Sequence, residues 1–460
     1  MLITNGHIVT ATDDYLGDIL IDGEKIVAIG APGSFAGRQG ETVLDAQEKY
    51  VFPGAIDVHT HMELPLPTTV ASDDFETGTI AAACGGTTTI LDFANQQRGH
   101  TLAEALQAWH AKAEGKAVID YGFHITITDL AAAPEAAMDE MVAAGVTTFK
   151  LLMAYPNTFM VDDETIFRVL RHSARLGGLV MVHAENGIVI DLIVREAVAA
   201  GQTAPGFHAL TRPAILEGEA TQRAITLATL AEAPLYVVHV SCAHSLQAVA
   251  AARAKGLPVW GETCPQYLYL NDGCYAAPGF EGAKFVCTPP MRRLADNEAL
   301  WIGLQRRELQ VVSTDHAPFN FAGQKELGRD DFSKIPNGLP GVEQRVLLMY
   351  DAVRTGKLTL HHFVDLVATA PAKLFGLFPR KGTIAPGSDA DLLIFDPERK
   401  MIISAATQHQ RVDYTPYEGM SVQGVPDTVL LRGRVIVQHG EYIGGKGGGH
   451  YLHRHTFSER

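Results

Sequence analysis

Hydrophobic and polar positions fall into three textures along the chain. In the first fifty residues short alternating segments dominate, Leu2–Val9 and then Gly17–Gly30. The second is interrupted by Asp22-Gly23, a dipeptide that favours a tight hairpin. From Gly54 to about Phe375 short β-branched runs alternate with Ala-, Leu- and Glu-rich helical stretches. The runs are the one that reaches His59, then Thr87–Phe93, Asp120–Ile127, Thr147–Met153, Gly178–His183, Leu235–Val240, Pro258–Glu262 and Gln310–Asp315. Eight β/α units over about 320 residues predict a (β/α)8 barrel with insertions. After Pro379 the β texture returns, in Gly382–Asp396 and Val429–Val437. Neither end piece is long enough for a good core alone, so the economical arrangement pairs them. The predicted class is α/β, a TIM-like (β/α)8 barrel beside a small β-sandwich domain built from both chain ends. The predicted divisions are 1–52 and 377–443 for the sandwich and 53–376 for the barrel. The stretch 444–460, rich in Gly, His and Arg, is expected to be a mobile or partner-contacting tail.

Composition narrows the classes. A chain of 460 residues exceeds one ordinary core, and 47% hydrophobic with 19% charged residues describes a globular protein with a substantial interior. Net charge is −15, from 37 basic and 52 acidic residues, which argues against nucleic-acid partners. No run approaches the roughly 18 apolar residues of a membrane span, and the first residues carry no basic segment or cleavage site. Five cysteines, odd in number and without a C-x-x-C pair, read as reduced thiols of a cytoplasmic protein.

The chemistry starts at Val58-His59-Thr60-His61. On a strand, residues i and i+2 face one side, so both imidazoles point into one space and make half of a metal site. Placing the other polar residues on the predicted strands extends the set. The fourth strand carries Lys150, the fifth ends in His183, the sixth in His239 and the eighth in Asp315. Active sites of such barrels collect at the C-terminal strand ends, so these six side chains converge. Each has an ordinary alternative: a strand-end histidine can be a packed core residue, and Asp315 could cap the next helix. Lys150 sits in an otherwise buried strand, where an unpaired ammonium is costly. Either a carboxylate pairs with it, or it is neutral and reacts with CO₂ to give a carbamate able to bridge two metal ions.

At this point the chain resembles the cyclic amidohydrolases, and within them the dihydropyrimidinase and D-hydantoinase group. The resemblance rests on Val58-His59-Thr60-His61, Asp73–Thr79, Gly85–Thr89, Phe149-Lys150, His183-Ala184-Glu185-Asn186, Val238–Ser241, Gly261–Tyr267, Ser313–His316, Pro336-Asn337-Gly338 and Lys373–Leu377, and covers essentially the whole chain. It implies a binuclear Zn²⁺ site, or one of a related divalent ion. His59, His61, Lys150 and Asp315 would hold one ion, and Lys150, His183 and His239 the other, with Lys150 as the carbamate. It implies Asp315 as the proton carrier of the hydrolysis and Tyr155 as donor to the developing oxyanion. On its own residues Tyr155 is an ordinary aromatic. Main-chain groups near Thr288 and Asn337 would hold the imide edge of a small cyclic amide. The sequence departs slightly here: Thr288 opens Thr-Pro-Pro-Met-Arg where the family usually has Ser-Pro-Pro-Leu-Arg.

Gate positions matching the loops of relatives are Met62, Leu64, Leu66 and Phe159, all apolar, which suits an alkyl or aromatic ring substituent. Dihydroorotases carry Arg two residues after the second His; Glu63 stands here, which argues against dihydroorotate. An allantoinase-type activity shares the ligand set. Non-catalytic dihydropyrimidinase-like assembly proteins share the fold but lack ligands, and all six are present here. The family also implies a homotetramer, with the tail a candidate for intersubunit contact.

Overall fold

The computed structural model describes residues 1–38, 41–130 and 134–457. The barrel strands are β1 (Ala55–Thr60), β2 (Thr87–Asn95), β3 (Asp120–Thr126), β4 (Thr148–Leu152), β5 (Leu179–His183), β6 (Leu235–Val237), β7 (Val259–Thr263) and β8 (Val311–Val312). They form one eight-stranded sheet in chain order, every neighbouring pair parallel. The ring closes where Thr60, at the end of β1, bridges to His316 beyond β8 and the His61 N–H donates to the His316 carbonyl at 2.8 Å. Inward-facing Ile56, Val58, Leu91, Phe93, Leu179, Met181, Tyr236 and Val311 fill the lumen as a packed core.

Helices lie between the strands, and local chemistry fixes their ends. Thr101 and Glu104 form a reciprocal capping box before Leu102–Ala113. Asp162 caps Asp163–Leu176, which stops at Gly177 in the left-handed conformation.

Both chain ends enter one hydrogen-bonded mixed sheet of nine strands. Tyr50–Pro53 pairs antiparallel with Leu392–Phe395, and Leu2–Val9 lies parallel to Tyr50–Val51. Ile3, Ile8, Ile19, Ile26, Val51, Leu392, Ile394 and Leu430 form the core of this domain. The apolar run leading to His59 is therefore shared between two sheets: Tyr50–Pro53 belongs to the outer one and Ala55–Thr60 to the barrel. The chain crosses at Gly54, where an added Cβ would lie 2.2 Å from Thr88 Oγ1. A buried ionic knot joins the two domains. The Lys381 ammonium reaches Asp120 at the start of β3 and Asp391 of the outer domain, both at 2.5 Å, and Arg432 also meets Asp120.

The tail lies against the barrel of its own chain. Residues 444–457 pack on the chain's own barrel, and positions 458–460 lie outside the described residues. The Leu452 N–H donates to Tyr121 O at 2.7 Å, and the Leu452 side chain joins the lumen core. Arg454 is buried and donates to the Phe123 carbonyl and, at 2.9 Å, to Thr148 Oγ1. Phe457 packs edge-on against Trp260. Among the described residues no helix is long and apolar enough to cross a membrane.

Candidate active site

A cavity of about 510 Å³ opens at the C-terminal ends of the barrel strands, and its lining includes His59, His61, Lys150, His183, His239 and Asp315 together. His59 lies within β1 and His61 just past it, Lys150 in the middle of β4, and His183 at the last position of β5. His239 and Asp315 follow β6 and β8 by a few residues, both with positive φ, +38° and +56°. Tyr155 is a third such residue, at φ +65°. Non-glycine residues held there are costly and cluster where the surrounding structure fixes a reactive geometry.

The nitrogens and oxygens converge. Asp315 Oδ1 lies 3.1 Å from His59 Nε2 and 3.2 Å from His61 Nε2. These three residues form a group whose donor atoms are within metal-binding reach of one another. The His183 and His239 rings are 4.6 Å apart, and His239 lies 5.4 Å from His59. Lys150 is 4% exposed and its ammonium makes no ion pair or hydrogen bond among the described residues; its Nζ lies 4.9 Å over the Phe93 ring. Burial pulls its pKa down to about 8, against the opposing pull of Asp315 and Glu262. Burial likewise holds His61 down near 4 and His239 well below its ordinary value. Asp315 is held well below the usual carboxylate range, since the facing histidines outweigh its burial.

These groups fit divalent metal. His61 Nδ1 and His239 Nδ1 are buried without a hydrogen-bond partner among the described residues. Imidazole nitrogens, an ionised carboxylate and an uncompensated lysine are the donor set that a cation, together with a lysine carbamate, would satisfy. A surrounding shell of carboxylates orients the donors. Glu262 on β7 accepts from His59 Nδ1, from the Tyr236 hydroxyl at 2.9 Å and from the His239 N–H at 3.2 Å. Glu185 takes His183 Nε2 at 2.9 Å. Asp57 accepts the Thr314 hydroxyl at 2.6 Å, which fixes the turn before Asp315.

Leu64, Leu66, Phe159, Tyr155, Thr288 and Asn337 all line the cavity, with Thr288 and Asn337 beside the Tyr155 hydroxyl. Met62 does not. Its side chain is wholly buried, with its sulfur turned onto Gly78 behind the barrel wall, so the expectation that it gates the site is corrected. Strand alternation accounts for this: Met62 is one residue past His61 and takes the opposite face. Glu262 and Glu185 stood unassigned inside recognised blocks. For Glu262, a carboxylate in an apolar strand, the signal was the one that exposed Lys150. The wall formed by Leu327, Ser333, Lys334 and Ile335 carried no periodicity that could have marked it.

Comparison with known proteins agrees with the geometry. The family model described as the Amidohydrolase family matches residues 50–436. The D-hydantoinase of Streptomyces coelicolor is 52% identical over 457 residues, covering 99% of this chain and 98% of that one. The D-hydantoinase of Geobacillus stearothermophilus is 52% identical over 455 residues, 98% of this chain and 96% of its own. The crystal structure of dihydropyrimidinase from Brevibacillus agri superposes with a TM-score of 0.98 at 51% identity, covering 100% of this chain and 99% of the other. By sequence over nearly its whole length and by fold, the chain belongs to the amidohydrolase family, beside the D-hydantoinases and dihydropyrimidinases.

Proposed function

We propose that this protein opens 5,6-dihydropyrimidine and 5-monosubstituted hydantoin rings, giving N-carbamoyl amino acids. The observation that carries the reading is the meeting of six donor side chains, including a buried lysine without a counter-ion among the described residues, in a cavity also lined by Leu64, Leu66 and Phe159. Names of relatives at 52% identity support the substrate class. His59, His61, Lys150 and Asp315 would hold one divalent ion and Lys150, His183 and His239 a second, zinc being the choice for a nitrogen- and oxygen-rich set. Lys150, its pKa lowered by burial, would take up CO₂ through its free amine with release of a proton, giving an anionic carbamate that could serve as a ligand to both ions. Bound divalent ions supply Lewis acidity, activating water near neutral pH and polarising the amide carbonyl.

The chain's own residues do the rest. Asp315 accepts the proton of the attacking water and passes it to the leaving ring nitrogen. Tyr155, whose phenol burial pushes up to about 12, stays protonated and donates to the developing oxyanion. Main-chain groups at Thr288 and Asn337 hold the imide edge, and Leu64, Leu66 and Phe159 receive the ring substituent. We further read the protein as a cytoplasmic homotetramer, on family resemblance and on its five unpaired thiols.

The test is kcat/KM of the metal-analysed protein on 5,6-dihydrouracil and on a 5-monosubstituted hydantoin, side by side. Turnover of either supports the reading, and the ratio names the preferred ring. Two metals bound with no turnover of either would overturn the substrate class and direct the search to allantoin.

A further inference from the structure

Among the buried charges that the mechanism leaves unused, Lys325 is the most completely enclosed by backbone. Its side chain is wholly buried, and its ammonium donates to Val286 O at 2.7 Å, Pro336 O at 2.7 Å and Gly338 O at 2.8 Å. An ammonium has three N–H donors, and here each meets one carbonyl. It has no carboxylate partner among the described residues; burial pulls its pKa down to about 7, opposed by the nearby Cys287 thiol alone. So expensive a group is an odd way to fill a core.

What it joins gives the reason. Pro336 and Gly338 flank Asn337, and Val286 lies two residues before Thr288. These are the two main-chain segments read above as holding the substrate's imide edge. A single atom thus ties the two sides of that edge, helped by the Gly338 N–H donating to Val286 O at 3.1 Å. The segment has little slack to readjust. Gly338 has φ +146°, and a Cβ there would lie 2.3 Å from Ala317 O. The adjoining wall, Leu327 and Ser333 to Ile335, has only two single-turn 3₁₀ segments of regular structure, Lys325–Gly328 and Phe332–Lys334.

We propose that Lys325 is a positioning residue for substrate, its tripod of hydrogen bonds setting the spacing between the main chain at Thr288 and at Asn337. The proposal rests on the substrate reading given above. Arginine cannot replace the tripod, because its donors lie in a planar fork. Methionine matches the length and supplies no donor.

The experiment uses the full-length, zinc-loaded protein and its K325M and K325R variants. For each, metal per subunit, Tm, kcat and KM are measured on whichever cyclic amide the parent turns over best. In K325M the metal content stays at the parent value while KM rises about tenfold or more and kcat changes less, and K325R does not restore KM. A folded K325M with the parent's KM, even at lower Tm, would make Lys325 a stabiliser and overturn the proposal. If K325M does not fold, K325Q is judged by the same criteria, and failure of both to fold would equally assign the residue to stability. A parent that turns over neither ring removes the substrate reading and this proposal with it. A working parent with an unaffected variant removes only this proposal.

Discussion

His183 and Glu185, two residues apart, share a 2.9 Å hydrogen bond from imidazole Nε2 to carboxylate, which leaves Nδ1 as the imidazole's free nitrogen. Burial would neutralise Glu185, but His183, Arg212 and Arg292 hold its pKa below the ordinary value, so the carboxylate stays charged and the tautomer stays fixed. Glu185→Gln should therefore weaken metal retention about 10- to 100-fold. Dialysis against graded chelator, with metal counted afterwards, checks it; parent-like retention would mean that packing alone orients His183.

Lys150→Ala removes the residue assigned to both metals. Metal binding and turnover should be lost together while the fold survives, since the change only shortens a side chain at the barrel mouth. A full metal complement in this variant would sink the bridging assignment.

Tyr155→Phe deletes one hydroxyl and keeps the ring, which lies 5.7 Å from His183. Turnover should fall about a hundredfold with metal content unchanged, the size typical of losing one oxyanion donor. Unaltered kcat would take Tyr155 out of the mechanism.

Alkaline stability follows from buried phenols. Tyr236, Tyr267 and Tyr417 are almost fully enclosed, and burial pushes each pKa well above the usual value. Above about pH 10 the unfolded chain releases these protons while the native state keeps them. Bound protons then number more in the native state, so stability present in full below that pH falls as pH rises. The urea midpoint should be lower at about pH 11 than at about pH 9, with tyrosinate absorbance of these residues appearing only as the protein unfolds. Equal midpoints would show that these phenols ionise in place.

The eight barrel strands were legible because a buried strand must be apolar and β-branched, and nothing else in the chain has that texture at that spacing. The six ligand candidates were legible for the opposite reason: a His, Lys or Asp at the end of such a run is a local contradiction that demands a partner. Other features were not. The run from Tyr50 to His59 does not record that its pairing partner changes at Gly54, because both sheets ask for the same residue types. The alternation that pairs His59 with His61 would also have turned Met62 away from the site. Arg454 stands between two histidines with no apolar pattern to mark it, and it buries because the open base of the barrel supplies acceptors such as Phe123 O. Lys325 could not be read at all, since its acceptors are carbonyls, which every residue possesses.

The closing of the barrel's base by Leu452 and Arg454 sets an order of events during synthesis. Strands β1 to β8 emerge from the ribosome well before residues 449–457, and Tyr50–Pro53 waits more than three hundred residues for its partner Leu392–Phe395. Such distant pairings are slow to form. The nascent chain therefore assembles its catalytic strands while their floor is still open to water and the outer sheet is still unpaired. Exposure to chaperones, and to aggregation, is greatest after β8 is made and before Leu392–Phe395 and the tail follow.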